Sequence, residues 1–158
     1  MSELKFKNYS NKIKYDLEQS VDLRFQNFTS LDFKQFIVSL FKDKGYDVWQ
    51  TPPDGDYGAD MIAKKEEEII AIKVKKYNKE DLIGIKDANQ LIGAKVFYDC
   101  NKALIITTSS LNKRAKILAK NTGTEFWEWM DLKEEIYDIY FDTENIPSYY
   151  TKTKEDSI

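Results

Sequence analysis

Gly55-Asp56-Tyr57-Gly58-Ala59-Asp60, followed twelve residues later by Ile72-Lys73-Val74-Lys75, is the stretch whose reading decides the fold. Ala59 to Ala63 and Ile69 to Val74 are apolar runs of strand length, and Lys64-Lys65-Glu66-Glu67-Glu68 between them suits an exposed hairpin turn. Side chains alternate along a strand, so Lys73 and Lys75 share a face about 7 Å apart, and the hairpin can bring Asp60 beside both. A carboxylate able to hold a divalent cation, next to a lysine that orients water and neutralises phosphate charge, is the minimum equipment for metal-assisted phosphodiester hydrolysis.

Outward from the hairpin, both flanks read as alternating elements. Upstream, Thr29 or Ser30 starts a helix in which Phe33, Phe36, Ile37, Leu40 and Phe41 recur at helical spacing until Gly45. Tyr46 to Gln50 reads as a strand, and Thr51-Pro52-Pro53-Asp54-Gly55-Asp56 breaks it, because consecutive prolines remove ladder donors. Downstream of Tyr77 to Asp81, the residues Ile85, Ala88, Leu91, Ile92 and Val96 form one face of a helix. A buried strand (Ala103 to Thr107), a helix (Leu111 to Asn121), a strand (Thr124 to Trp129) and a last helix capped by Asp131 follow. The expected fold is α/β, a central mixed sheet flanked by helices in the order α-β-β-β-α-β-α-β-α. Residues 1–28 read as a helical N-terminal extension, with Ile13, Leu17, Val21 and Phe25 spaced by four, which could serve a homodimer. Residues 29–141 form the core domain and 142–158 a C-terminal tail.

Composition narrows the chemistry. The chain has 158 residues, 42% hydrophobic, enough for one sizeable core, and a formal net charge of -3, so any phosphate-binding surface must be local. Arg24 and Arg114 are the only arginines, which favours phosphate contact by lysine over bidentate readout of guanine. Histidine is absent, which excludes a histidine base, a Ser-His or Cys-His pair and a histidine-ligated metal. Cys100 stands alone and reads as a buried or incidental thiol. No apolar run approaches membrane-spanning length, and a soluble, cytoplasmic protein is the expectation.

The joint order of these pieces resembles the Mrr-like branch of the PD-(D/E)XK nucleases. The likeness runs from about Ser30 to Leu132 through Leu31-Asp32-Phe33, Lys44-Gly45-Tyr46-Asp47-Val48, Gly55 to Asp60, Lys75-Lys76-Tyr77, Gln90-Leu91-Ile92-Gly93-Ala94, Ala103 to Thr108 and Lys113-Arg114-Ala115. It implies a restriction-endonuclease-like core, Asp60 as metal ligand, the Val74 carbonyl as a further ligand, Lys75 as catalytic lysine, Mg²⁺ or Mn²⁺ as cofactor, and DNA as substrate. Two positions depart from the pattern. Lys34 stands where the first helix usually offers Glu, and Lys73 where the strand usually carries Glu or Gln. Each puts a cation where a metal would want oxygen; at roughly 4 Å and an effective dielectric near 20, a like-charge contact costs about 4 kcal/mol.

Substitute ligands are conceivable in Asp56, Glu68, Gln35 or Gln90, although Asp56 suits a turn as well as a ligand. Lys73 pairing with Asp60 would fill the cation's place. Lys34, Lys73, Lys76 and Gln90 are candidates for DNA contact. Trp127 and Trp129 read as packing on the sheet, and Thr107 to Ser110 as capping the next helix. Two functions remain open: a divalent-metal-dependent endodeoxyribonuclease, with Asp60, Lys75 and Lys73 as its site, or a catalytically impaired relative that binds DNA or a protein partner.

Overall fold

The computed structural model describes residues 11–52 and 57–141, with side chains from residue 17 onward. Most of the expected N-terminal extension therefore lies within it, whereas Asp56 and the tail after residue 141 lie outside the described residues.

Helix α1 (Asn11–Asp22) leads into helix α2 (Ser30–Asp43), whose start is fixed by a reciprocal cap. The Thr29 hydroxyl accepts from the Asp32 N–H at 3.0 Å, and the Asp32 carboxylate accepts from the Thr29 N–H at 3.2 Å. The α2 stripe of Phe33, Ile37, Leu40 and Phe41 is fully buried, as the periodicity requires. Phe25, between the two helices, seats its ring among those of Phe28, Phe33, Phe36 and Trp129.

The strands are β1 (Asp47–Gln50), β2 (Met61–Lys65), β3 (Glu68–Lys75), β4 (Leu82–Ile83), β5 (Lys102–Thr107), β6 (Ser110–Leu111) and β7 (Glu125–Trp127). The remaining helices are α3 (Ile85–Phe97), α4 (Lys113–Asn121) and α5 (Trp129–Tyr140). The main sheet has five strands in the order β1-β2-β3-β5-β7. β1, β2 and β3 pair antiparallel, while β3, β5 and β7 pair parallel, so the sheet is mixed and the helices supply the crossovers. This is the restriction-endonuclease-like core expected from the sequence, extended by a two-stranded β4-β6 ribbon too short to show a period.

Helices α2 and α5 cover one face of the sheet, over Met61, Ala63, Ile70, Ile72, Val74, Leu104 and Ile106. Helices α3 and α4 cover the other, over Ala59, Ala71, Ala103 and Ile105. Alternation along β3 therefore sends Ile72 and Val74 toward α2, and Lys73 and Lys75 toward α3.

Two boundaries differ from expectation. The last helix begins at Trp129 because Glu128 takes the cap position and Asp131 closes the capping box from N3, its carboxylate accepting from the Glu128 N–H at 3.0 Å. Trp129 is accordingly a buried helical residue, and Trp127 stacks on Phe41 at 5.5 Å. The helix after β6 is capped by Asn112, not by the Thr107–Ser110 hydroxyls. Thr108 instead exchanges hydrogen bonds with the Tyr77 backbone, and the Ser109 hydroxyl donates to the Asp81 carbonyl, so this hydroxyl run ties β5 to the loop after β3.

Candidate nucleic-acid and metal site

Asp60 stands just before β2, where the strand departs from simple alternation. Ala59 and Met61, two residues apart, pack on opposite faces of the sheet. The Asp60 N–H donates to the Ile72 carbonyl at 2.8 Å although Met61 is the residue in register with Ile72. Asp60 is thus an extra residue opposite Ile72, as in a bulge, and its side chain is re-aimed. Thr51 holds the other end of the loop, its hydroxyl donating to the Ala59 carbonyl at 2.6 Å and its N–H to the Asp60 carbonyl at 3.1 Å.

The Asp60 carboxylate is almost wholly buried, and both oxygens are occupied. Oδ2 accepts the Val74 N–H at 2.7 Å, taking a ladder donor that β2 is too short to reach. Oδ1 faces the Lys34 ammonium of α2 at 3.1 Å. In an extended strand the N–H and C=O of one residue leave on the same side, so the Val74 carbonyl belongs to this end of β3 as well.

Lys73 and Lys75 turn the other way. Each Nζ lies 3.9 Å from Asp87 Oδ1, in the first turn of α3. Lys73 is 7% exposed, which makes Asp87 the carboxylate that offsets its burial. Lys75 also approaches the Tyr77 ring at 5.8 Å. The structure therefore corrects the pairing conceivable from sequence, because the bulge directs Asp60 toward α2 and its cationic partner is Lys34, not Lys73. Asp87 carried no signal in the sequence beyond its place in a helix's first turn.

The other sequence candidates are placed as follows. Glu68 starts β3, about 23 Å from Lys75 by strand rise, and binds the Tyr46 hydroxyl at 2.9 Å. Gln35 is engaged with Gln50 at 2.8 Å. Gln90 is exposed on α3, its carbonyl beneath Gly58, and Lys76 is half-buried just beyond β3.

A divalent ion at Asp60 needs free carboxylate oxygens. One Asp60 oxygen holds an ammonium and the other an amide, Lys73 supplies a donor, and no group of three or more His, Cys, Asp or Glu among the described residues could hold a metal. The residues present do not fit the ion that the resemblance implies.

The chain matches the profile of the Mrr_cat family, restriction endonuclease, over residues 25–136. It belongs to that family. Solved structures agree on the fold. A DNA modification-dependent restriction endonuclease, AspBHI, is 16% identical with a TM-score of 0.59, the match covering 82% of this chain and 36% of that one. A crystal structure of a protein of unknown function, AF1548, is 15% identical with a TM-score of 0.56, covering 78% of this chain and 76% of that one. No curated protein sequence matches the chain. Within the Mrr_cat fold, three lysines and two aspartates form two ion-paired groups near the end of β3, Lys34 with Asp60 on the α2 side and Lys73 and Lys75 with Asp87 on the α3 side.

Proposed function

We propose that this Mrr_cat domain binds DNA phosphodiesters at the C-terminal end of β3 through Lys34, Lys73 and Lys75, with divalent-metal hydrolysis lost. The observation that carries the reading is the Lys34 ammonium 3.1 Å from Asp60 Oδ1, on the carboxylate that a metal would require. A phosphate entering at Lys73 and Lys75 meets two ammonium groups against the single Asp87 carboxylate, a favourable field, and lysine suits it as a point charge. Asp87 keeps Lys73 and Lys75 within reach of one another on the α3 side, and Asp60 holds Lys34 on the α2 side.

A second reading is metal-dependent endonuclease activity in which DNA draws Lys34 off Asp60 and Mg²⁺ or Mn²⁺ takes its place. Lys34 is about a third exposed, which leaves it room to leave. Purified protein incubated with supercoiled plasmid and Mg²⁺, Mn²⁺ or chelator decides between them. The binding reading expects intact plasmid throughout, with salt-sensitive retention in chelator that weakens in Lys75→Ala and Lys34→Ala. Metal-dependent nicking abolished by Asp60→Ala would establish the second reading, and retention indifferent to both lysines would remove the first.

A further inference from the structure

An aromatic patch forms where the loop before β2 meets the C-terminal end of α3. Tyr57 and Phe97 stack with centroids 3.9 Å apart and planes 20° from parallel. Tyr98 meets both edge-on, at 6.2 and 4.9 Å, and Trp49 of β1 packs on Tyr98 at 5.6 Å. These rings do not close a core, since Trp49, Tyr57 and Phe97 are 54%, 60% and 56% exposed.

The backbone is committed to presenting Tyr57. Its φ is +53°, a left-handed conformation uncommon for a bulky side chain, and Gly58 follows at φ +102°. A Cβ on Gly58 would lie 2.2 Å from the Gln90 carbonyl oxygen, so the loop is pressed onto α3 and the Tyr57 ring is held against Phe97. Backbone strain of this kind is sustained where a side chain has a task. The same segment delivers Asp60 three residues later, within about 11 Å along the chain, and Asp87, the partner of Lys73 and Lys75, lies ten residues before Phe97 on α3, about 15 Å by helix rise.

We propose that Tyr57 and Phe97 form a stacking platform for unpaired bases of a DNA strand whose phosphates lie on Lys34, Lys73 and Lys75. The inference rests on the DNA-binding reading above and names its substrate class as single-stranded or splayed DNA. Charge selects this occupant over an apolar protein segment, because the helix that carries Phe97 at its C-terminal end holds the Lys73 and Lys75 ammonium groups beside Asp87 in its first turn, about 15 Å away, a span that a few nucleotides of a polyanion cover. Stacking is tolerant of sequence, since every base has a π-face, and so requires none of the bidentate readout that a chain with two arginines lacks.

Fluorescence anisotropy with the full chain in chelator, at one fixed salt concentration, tests this with an oligo(dT) of about 20 nucleotides and a blunt duplex of matched length. Tyr57→Ala and Phe97→Ala should each weaken oligo(dT) binding about 10-fold, leave the duplex unchanged and keep the salt slope, because no phosphate contact is removed. Tyr57→Phe should restore the affinity. Equal losses on both DNAs, no loss on oligo(dT), or a dimer that dissociates in Phe97→Ala with DNA affinity intact would each overturn the platform. Lys75→Ala separates the two ideas: if it weakens both DNAs while the aromatic variants do nothing, the phosphate site stands and the platform falls. If Lys75→Ala has no effect on either DNA, the underlying reading fails instead.

Discussion

Replacing Lys34 by glutamate should turn the Asp60 carboxylate from the partner of an ammonium into a ligand for a divalent cation. At 3.1 Å and an effective dielectric near 20, the Lys34–Asp60 attraction is about 5 kcal/mol before solvent screening. Lys34 is about a third exposed, and exposed pairs retain about 1 kcal/mol, so the pair is worth between these limits. A divalent ion about 4 Å from the Lys34 ammonium would meet a repulsion of about 8 kcal/mol on the same scale, so it enters only by displacing Lys34. Removing the ammonium abolishes that displacement cost, and the introduced carboxylate adds an acceptor. Taking about 2–3 kcal/mol as the net gain, Mn²⁺ should bind Lys34→Glu about 30- to 150-fold more tightly than the parent chain. Titration calorimetry with metal-stripped protein reads this directly. A parent chain that binds Mn²⁺ as tightly as Lys34→Glu would refute the reasoning, as would a Lys34→Glu variant with no gain and an unchanged fold by circular dichroism.

Asp87→Asn should leave Lys73, 7% exposed, without its counter-charge and cost about 1–3 kcal/mol in urea unfolding, with Lys73→Met in the same chain recovering most of it; a loss the double variant keeps would mean Asp87 acts elsewhere. Gly58→Ala should destabilise by more than about 1 kcal/mol, since the positive φ and the Gln90 carbonyl both oppose a Cβ; thermal melting indistinguishable from the parent would count against that packing. Burial, reinforced by the hydrogen bond to Glu68, pushes the Tyr46 phenol up to about 12. Between the ordinary value near 10 and about 12 the native state keeps a proton the unfolded chain has released, so this contribution is complete below about pH 10 and is lost as pH rises through about 12. Urea midpoints should therefore fall less steeply across that window in Tyr46→Phe than in the parent.

Most of the architecture was legible because hydrophobic period reports burial, and burial is what the sheet and its helices share. Phe33, Ile37, Leu40 and Phe41 marked α2, and Ala103 to Thr107 marked β5, without help from distant residues. The β4-β6 ribbon was not legible, since a pair of residues has no period. Helix starts shifted where two acids competed for one cap, as with Glu128 and Asp131. In the candidate site, the sequence placed Lys73 and Lys75 on one face by alternation, and their shared partner Asp87 agrees with that geometry. It could not place Asp60 relative to them, because a bulge shifts facing by one residue and leaves no compositional trace. Lys34 was visible as an oddity, but its contact with Asp60 depends on how α2 crosses the sheet.

The Lys34–Asp60 contact also changes what holds α2 to the sheet at this corner. A carboxylate that waits for an ion leaves its surroundings dependent on supply, so chelation loosens them. Here the counter-ion is covalently part of the chain and tethered on the helix it secures. Amide exchange along α2 and at Val74 should accordingly be indifferent to chelator, and the domain should hold the same shape across the swings in free Mg²⁺ that would switch a metal-requiring relative on and off.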